Sequence, residues 1–212
     1  MWSAHRVRSQ EILEVDDRPA GECLDRLRRG SAEALDELLR GYWRSLTLYA
    51  ENLLDGRSDL AEDLVQEAFV RLWEKRDSWR EGSAPAPILY TLVRNLALNE
   101  RRNRATRSML LRLRSFSGRA GLTPERELEG RELGEAIERA VEALPPRRRE
   151  VFRLAWFHGL SYQEVADVLA ITPRTVANQM SSALKELRTV LGPQLRETLS
   201  PRWNAGDEAA RG

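Results

Sequence analysis

The sequence holds a single cysteine, Cys23, in 212 residues. A lone thiol excludes an internal disulfide and every cysteine-cluster zinc site, which fits a reducing compartment. The place expected for Cys23 is that of a small, buried or half-buried apolar side chain. Histidine is nearly as scarce: His5 and His158 stand far apart with no companions at ligand spacing, so neither a metal nor a cofactor is expected. No apolar run approaches the ~20 residues of a membrane span. The opening stretch MWSAHRVRSQEILEVDD also lacks the continuous apolar segment of a secretory signal. The expectation is a soluble, cytoplasmic chain without membrane insertion. Strand-like alternation is missing too, which makes the expected fold class all-α. With 42% hydrophobic residues, this length suffices for one large domain or two small ones.

Charge of one sign is also lacking overall, since the net charge is only +1, but the charges are segregated along the chain. Arg101 to Arg119 carries seven arginines and no acid, whereas Arg57 to Phe69 concentrates Asp59, Glu62, Asp63 and Glu67. Different surfaces are therefore expected to meet different partners.

The most specific local pattern is GLSYQEVADVLAITPRTVANQMSSALKELR, Gly159 to Arg188. Ser161 and Glu164 form a capping box, so a helix is expected to start at Ser161. Its apolar positions Val165, Ala166, Val168 and Leu169 share one face, and the pattern stops at Ala170 and Ile171. Thr172 offers an N-cap oxygen and Pro173 sits where its missing N–H costs nothing, so a second helix starts within about three residues. That is helix-turn-helix spacing. Val176, Met180, Ala183, Leu184 and Leu187 form its apolar stripe, leaving Arg174, Thr175, Ala177, Asn178, Gln179, Ser181, Ser182 and Lys185 outward. Arg, Asn, Gln, Thr and Ser can donate or accept at base edges and phosphates, which favours DNA binding over a merely solvated bundle face. Upstream, a helix started by Pro145 and Pro146 supplies Val151, Phe152, Leu154, Ala155 and Trp156 for a small core.

The first half reads as a second helical block. A helix is expected over about Glu22 to Arg29, and another capped by Ser31. A third is opened by Ser58 or Asp59, with Leu60, Leu64, Val65, Ala68, Phe69, Leu72 and Trp73 as its stripe. A loop follows over SWREGSAPAP. The fourth helix is expected from about Ile88, with Leu89, Leu92, Val93, Leu96 and Ala97 inward and Arg94, Asn95, Asn99, Arg101 and Arg102 outward. The resulting organisation is a poorly ordered 1–20, a helical domain over 21–103, a linker over 104–132, a helix-turn-helix domain over 133–192 and a flexible tail over 193–212. Within the linker, a short helix around Met109 to Leu113 and a continuous helix from Thr123 both remain open.

AEDLVQEAFVRLWEKRDSW, ILYTLVRNLALNERRN and LPPRRREVFRLAWFHGLSYQEVADVLAITPRTVANQMSSALKELR, in that order, resemble a bacterial sigma factor of the two-domain extracytoplasmic-function group. The likeness covers about Asp36 to Asn103 and about Leu133 to Leu191. It implies that the first block binds the clamp helices of the RNA polymerase β′ subunit and opens the promoter at its minus-ten element. The second block would bind the minus-thirty-five element and the β flap. A cognate anti-sigma protein is a further implied partner. Matched to these roles, Asp63, Gln66, Glu67 and Trp73 are candidates for polymerase core, since charge pairing orients and an aromatic anchor supplies desolvated area. A solvated acidic helix start is the competing reading for this acidic cluster. Arg94, Asn95, Asn99, Arg101 and Arg102 are candidates for melted minus-ten DNA, with the loop Trp79 to Pro87 as a pocket for an unstacked base. Arg174, Thr175, Asn178, Gln179, Ser182 and Lys185 are candidates for the double-stranded minus-thirty-five element. Tyr90 either stacks on a base or packs in the bundle with its hydroxyl at the rim.

Three departures qualify the resemblance. Pro87 and Ile88 stand where such factors usually have a tryptophan before the Leu-Tyr pair. Ala170 replaces the usual turn glycine, so it either adopts the left-handed conformation at ~1 kcal/mol or avoids it. Ala177, Gln179 and Ser182 occupy positions often basic in the family, so intrinsic promoter affinity is expected to be weak, with core polymerase joining two modest contacts. A stand-alone helix-turn-helix regulator would need a ligand or dimerisation domain, and the first block instead ends in a basic helix. An enzyme would need a nucleophile-base pair or a carboxylate-histidine set, and neither can be named.

Overall fold

The computed structural model of the protein describes residues 20–112 and 131–192, with side chains over 21–106 and 136–192. The described residues are helical, with no strand among them. They separate into two compact units, one before and one after residue 125. The stretches 1–19, 113–130 and 193–212, on which the expected N-terminus, tail and most of the linker fall, lie outside the described residues. So does the alternative helix start at Thr123.

The first unit comprises α1 (Ala20–Arg28), α2 (Ala32–Leu53), α3 (Ser58–Glu74), a 3-10 turn (Arg76–Ser78) and α4 (Pro85–Arg112). Ser31 caps α2 as its sequence position predicts, its Oγ accepting the Ala34 N–H at 3.2 Å. Helix α3 starts at Ser58, one of the two openings expected; Arg57 occupies the cap position, and no side chain caps the end. Asp59 in the first turn still complements the positive end of the helix. The start of α4 differs from expectation, because Pro85, Ala86 and Pro87 form its first turn instead of prolonging the loop. Proline in a first turn gives up an N–H that has no partner within the helix, so here it starts a helix and does not break one. At its other end α4 continues past residue 103 to Arg112.

All four helices supply the core of this unit, α3 and α4 through members of the stripes predicted by helical period. Leu24 and Leu27 of α1, Leu46 and Tyr49 of α2, Val65 and Leu72 of α3, and Leu89 and Val93 of α4 are all buried. Each large apolar side chain so placed contributes ~1.5–3 kcal/mol relative to exposure. Tyr90 is buried as well, with its ring tilted against Tyr49 at 5.2 Å and its hydroxyl bonded to Ser45. That resolves the two readings of Tyr90 in favour of packing. Arg26 forks onto Glu37, clipping α1 to α2. Cys23 is half-buried beside them, its Sγ 3.4 Å from the Ala34 carbonyl. Burial first, then the charge of Glu37, raises its pKa, so the thiol stays protonated and chemically quiet.

The second unit comprises α5 (Arg131–Glu142), α6 (Pro146–Phe152), a π turn (Arg153–Phe157), α7 (Tyr162–Leu169) and α8 (Pro173–Leu191). Pro145 and Pro146 start α6 as expected, and Val151, Phe152 and Leu154 are buried. The π turn is not foreshadowed by the sequence. Within it the His158 N–H reaches back to the Arg153 carbonyl at 3.1 Å, and Trp156 stacks on Phe152 at 5.9 Å while Phe157 meets it edge-on at 6.0 Å. Ser161 and Glu164 complete the capping box of α7. Ala170 ends that helix at φ 52° and ψ 48°, so it accepts the left-handed conformation that a glycine would take without strain. Thr172 then caps α8, accepting the Thr175 N–H at 3.1 Å, with Pro173 as first helical residue. Val176, Met180, Ala183, Leu184 and Leu187 are all buried.

Candidate nucleic-acid interface

On α3 the turn-by-turn alternation of buried and exposed positions leaves Asp59, Glu62, Asp63, Gln66, Glu67, Val70 and Glu74 on solvent. Three of the four residues expected to meet a protein partner, Asp63, Gln66 and Glu67, thus share one outward strip. Glu67 is engaged locally by Arg71 at 2.8 Å, an exposed pair of small energetic weight. Trp73 sits differently from the expectation of an exposed anchor. It is half-buried and the Arg76 guanidinium lies 4.8 Å over its ring, a cation–π contact that the next turn supplies. Sequence reasoning missed Val70, which is 46% exposed between Glu67 and Glu74 on the same strip. A β-branched apolar residue on the polar face of an otherwise regular stripe was the signal that could have found it.

On α4, Asn95, Asn99 and Arg102 follow one another at spacings of four and three, so they form a single exposed row. Arg101 is also exposed, and Arg94 is half-buried next to the buried Val93. Arg101 and Arg102 meet no carboxylate among the described residues, whereas Arg104 is paired with Glu100 at 2.8 Å. Asn99, Arg101 and Arg102 lie beyond Ala97, the last buried residue of α4 among the described side chains, and Asn95 lies just before it. The face offers amides and guanidinium groups, which suit phosphate oxygens and base edges and cannot perform proton-transfer chemistry.

The loop preceding α4 runs Trp79 to Ala84, shorter than the Trp79 to Pro87 expected as a base pocket. Trp79 is committed to the scaffold, its indole N–H donating to the Leu72 carbonyl at 3.2 Å. Arg80, Glu81 and Gly82 are exposed.

On α8, Arg174, Asn178 and Lys185 are exposed, and Thr175, Gln179 and Ser182 are half-buried along one flank. Thr175 exchanges a hydrogen bond with the Thr172 hydroxyl at 2.9 Å, so its side chain also serves the helix start. Gln179 is not simply outward. Its Oε1 accepts from Arg148 Nε at 3.3 Å, and Arg148 also pairs with Glu186, tying α6 to α8. Arg149 and Arg153 both grip Glu142 at the end of α5. Burial lowers the pKa of Arg153, opposed by the charge of Glu142. Behind this cluster the Nε2 atom of His158 is shut off from solvent. Desolvation, then the positive charge of Arg153, pushes the histidine pKa down to about 3, so the ring is neutral near pH 7.

Among the described residues there is no cluster of acids, histidines or cysteine able to hold a metal ion, and no helix is long and apolar enough to cross a membrane. The candidate residues instead lie on three helix faces, one each on α3, α4 and α8.

Comparison with known proteins agrees with that reading. Residues 35–107 match the family described as Sigma-70 region 2, and residues 134–187 match Sigma-70, region 4. RNA polymerase sigma-H factor of Pseudomonas aeruginosa is 28% identical over 186 residues, covering 83% of this chain and 95% of that protein. ECF RNA polymerase sigma-E factor of Escherichia coli K12 is 26% identical over 182 residues, covering 82% of this chain and 94% of that one. Among solved structures, the sigma factor RpoE of Bartonella quintana, crystallised with the anti-sigma factor NepR, superposes with a TM-score of 0.58 at 26% identity. That match covers 76% of this chain and 98% of the solved one. With region 2 on one helical unit and region 4 on the other, in that order, the chain belongs to the sigma-70 family of RNA polymerase sigma factors and is a transcription initiation factor without catalysis of its own.

Proposed function

We propose that the chain acts in the cytoplasm as an alternative sigma factor of the extracytoplasmic-function kind, and that its surfaces divide the work as follows. The α3 strip of Asp63, Gln66 and Glu67, with Val70 one turn further along it and Trp73 bracing its end, docks on the β′ clamp helices of core polymerase. Charge sets the orientation and the apolar side chain supplies dehydrated area. The α4 row of Asn95, Asn99, Arg101 and Arg102, with Arg94 behind it, holds the melted minus-ten strand beside the loop 79–84. The exposed start of α8, with Arg174 and Asn178 foremost and Thr175, Gln179, Ser182 and Lys185 around them, enters the major groove of the minus-thirty-five element. The β flap and a cognate anti-sigma protein complete the set of partners. The functional domains are 21–103 and 133–192, joined through 104–132.

The observation that carries this reading is the pairing, on one chain, of an acidic helix strip and a cationic helix row in one unit with a capped helix-turn-helix in the other. Reconstitution tests it. The purified chain mixed with bacterial core polymerase is expected to co-elute in size-exclusion chromatography and to initiate at discrete sites on genomic fragments. Asp63→Lys combined with Val70→Glu should weaken core binding by about 30-fold or more, the scale of losing an interface hot spot, with helicity by circular dichroism unchanged. Undiminished binding by that variant would show that the strip is only a solvated face.

A further inference from the structure

The loop 79–84 is held from a side that none of the surfaces above explains. The Gly82 N–H is accepted by both carboxylate oxygens of Asp25 in α1, at 3.1 and 3.2 Å, across 57 positions of sequence. Asp25 is itself steadied by Arg28, whose Nη1 lies 3.6 Å from the same carboxylate and 3.9 Å from Glu81 of the loop. Gly82 has φ +72°, a conformation that a side chain would strain. One turn before Asp25, Gly21 packs directly on the Gly82 backbone. A Cβ at Gly21 would stand 2.8 Å from the Gly82 carbonyl oxygen and 3.0 Å from its carbon, both backbone atoms that can yield only if the loop moves. The other end of the loop is fixed by the Trp79 bond to the Leu72 carbonyl. The backbone between Trp79 and Gly82 is therefore pinned at two places by two different helices, while Arg80 and Glu81 stay exposed.

We propose that α1 is the positioning element of this loop: Asp25 and Gly21 set the course of residues 80–83 and thereby the base preference at the minus-ten element. The proposal rests on the reading of the loop and α4 as the surface for melted DNA. Its physical basis is preorganisation. A six-residue loop free in solution would have to be ordered at the expense of each DNA strand it holds, and an ordered one discriminates because a wrong base cannot be accommodated by a shift. The Asp25 carboxylate is well suited to this because a charged acceptor makes a stronger bond to an amide than a neutral one. Asp25 touches no nucleic acid in this arrangement; it acts through Gly82.

The test uses the full chain with core polymerase on promoters that differ only within the minus-ten segment, following opening by 2-aminopurine fluorescence in that segment. Core affinity is measured in parallel. Asp25→Ala and Gly21→Ala are each expected to cut discrimination between the preferred and altered minus-ten sequences by about tenfold, the scale of one charge-assisted hydrogen bond, with core affinity unchanged. Asp25→Asn, whose amide oxygen still accepts the Gly82 N–H, should retain most of the discrimination. Gly21→Ala keeps the experiment readable if Asp25→Ala folds poorly, because alanine favours the α1 helix more than glycine does while still displacing the loop. Full discrimination by Gly21→Ala and Asp25→Ala, alongside altered preference in Arg80→Ala, would overturn the positioning role and leave the loop as a DNA contact. No change in any of these variants, Arg80→Ala included, would overturn the loop reading itself and the inference with it.

Discussion

The two faces proposed to meet nucleic acid belong to units that use arginine in opposite ways. In the second unit Arg148, Arg149 and Arg153 are turned inward, onto Glu186 and Gln179 from α8 and onto Glu142 from α5. They knit helices together and their charge is spent on carboxylates of the same unit. At the end of α4, Arg101 and Arg102 stand beyond the last buried layer and meet no carboxylate among the described residues. Guanidinium groups of the first kind contribute to fold and little to phosphate affinity; those of the second kind contribute the reverse.

The sharpest way to separate the units is acid. Residues 20–112 contain no histidine, whereas the second unit shelters His158 with its pKa depressed to about 3. An unfolded chain binds the proton near pH 6.5 and the folded one does not. The unfolded state therefore takes up more protons in between, and stability that is complete above pH 6.5 is lost as pH falls toward 3, at up to about 1.4 kcal/mol per pH unit. Thermal melts at falling pH should show the second unit unfolding ahead of the first, and His158→Gln should flatten that acid limb. Equal sensitivity of both units would break the contrast.

A smaller effect follows from the arginines themselves. Arg101→Ala with Arg102→Ala should reduce the slope of log K against log salt for single-stranded minus-ten DNA by about 1.4, or ~0.7 for each lost phosphate contact. Arg148→Ala should leave the slope for minus-thirty-five duplex unmoved, because its charge is already paired with Glu186. A shared slope change in both would show that the inward arginine also faces phosphate.

The smallest expected change is at Ala170, whose left-handed φ of 52° carries a Cβ penalty. Ala170→Gly should stabilise the second unit by up to about 1 kcal/mol, read as a rise in its melting temperature alone.

What the sequence disclosed follows from how local each signal is. Ser161 with Glu164, Thr172 with Pro173, and the stripe from Val176 to Leu187 are decided within one or two helical turns, and the structure places them as their spacing predicts. Helix α5 is equally legible, since Ile137, Ala140 and Val141 recur at helical spacing and are buried, but it lies next to a glycine-containing basic stretch that reads as linker. The start of α4 at Pro85 was hidden by an ambiguity: proline marks a loop or a helix's first turn with the same letter. The engagement of Gln179 by Arg148 and the burial of Tyr90 against Tyr49 join residues 31 and roughly 40 positions apart, and no periodic pattern encodes them. Val70 was overlooked because the stripe was read for its inward members only.

The π turn at Arg153–Phe157 has a consequence for how the second unit grips its centre. At 100° per residue, a side chain five positions on from Phe152 would sit about 140° around an α-helix, facing away from it. The widened turn swings that position back, so that Trp156 covers the flat of the Phe152 ring and Phe157 its edge. One aromatic is thereby vised between two consecutive neighbours. Removing a single residue from this segment would unscrew the vise even if every amino acid in the core kept its chemical character.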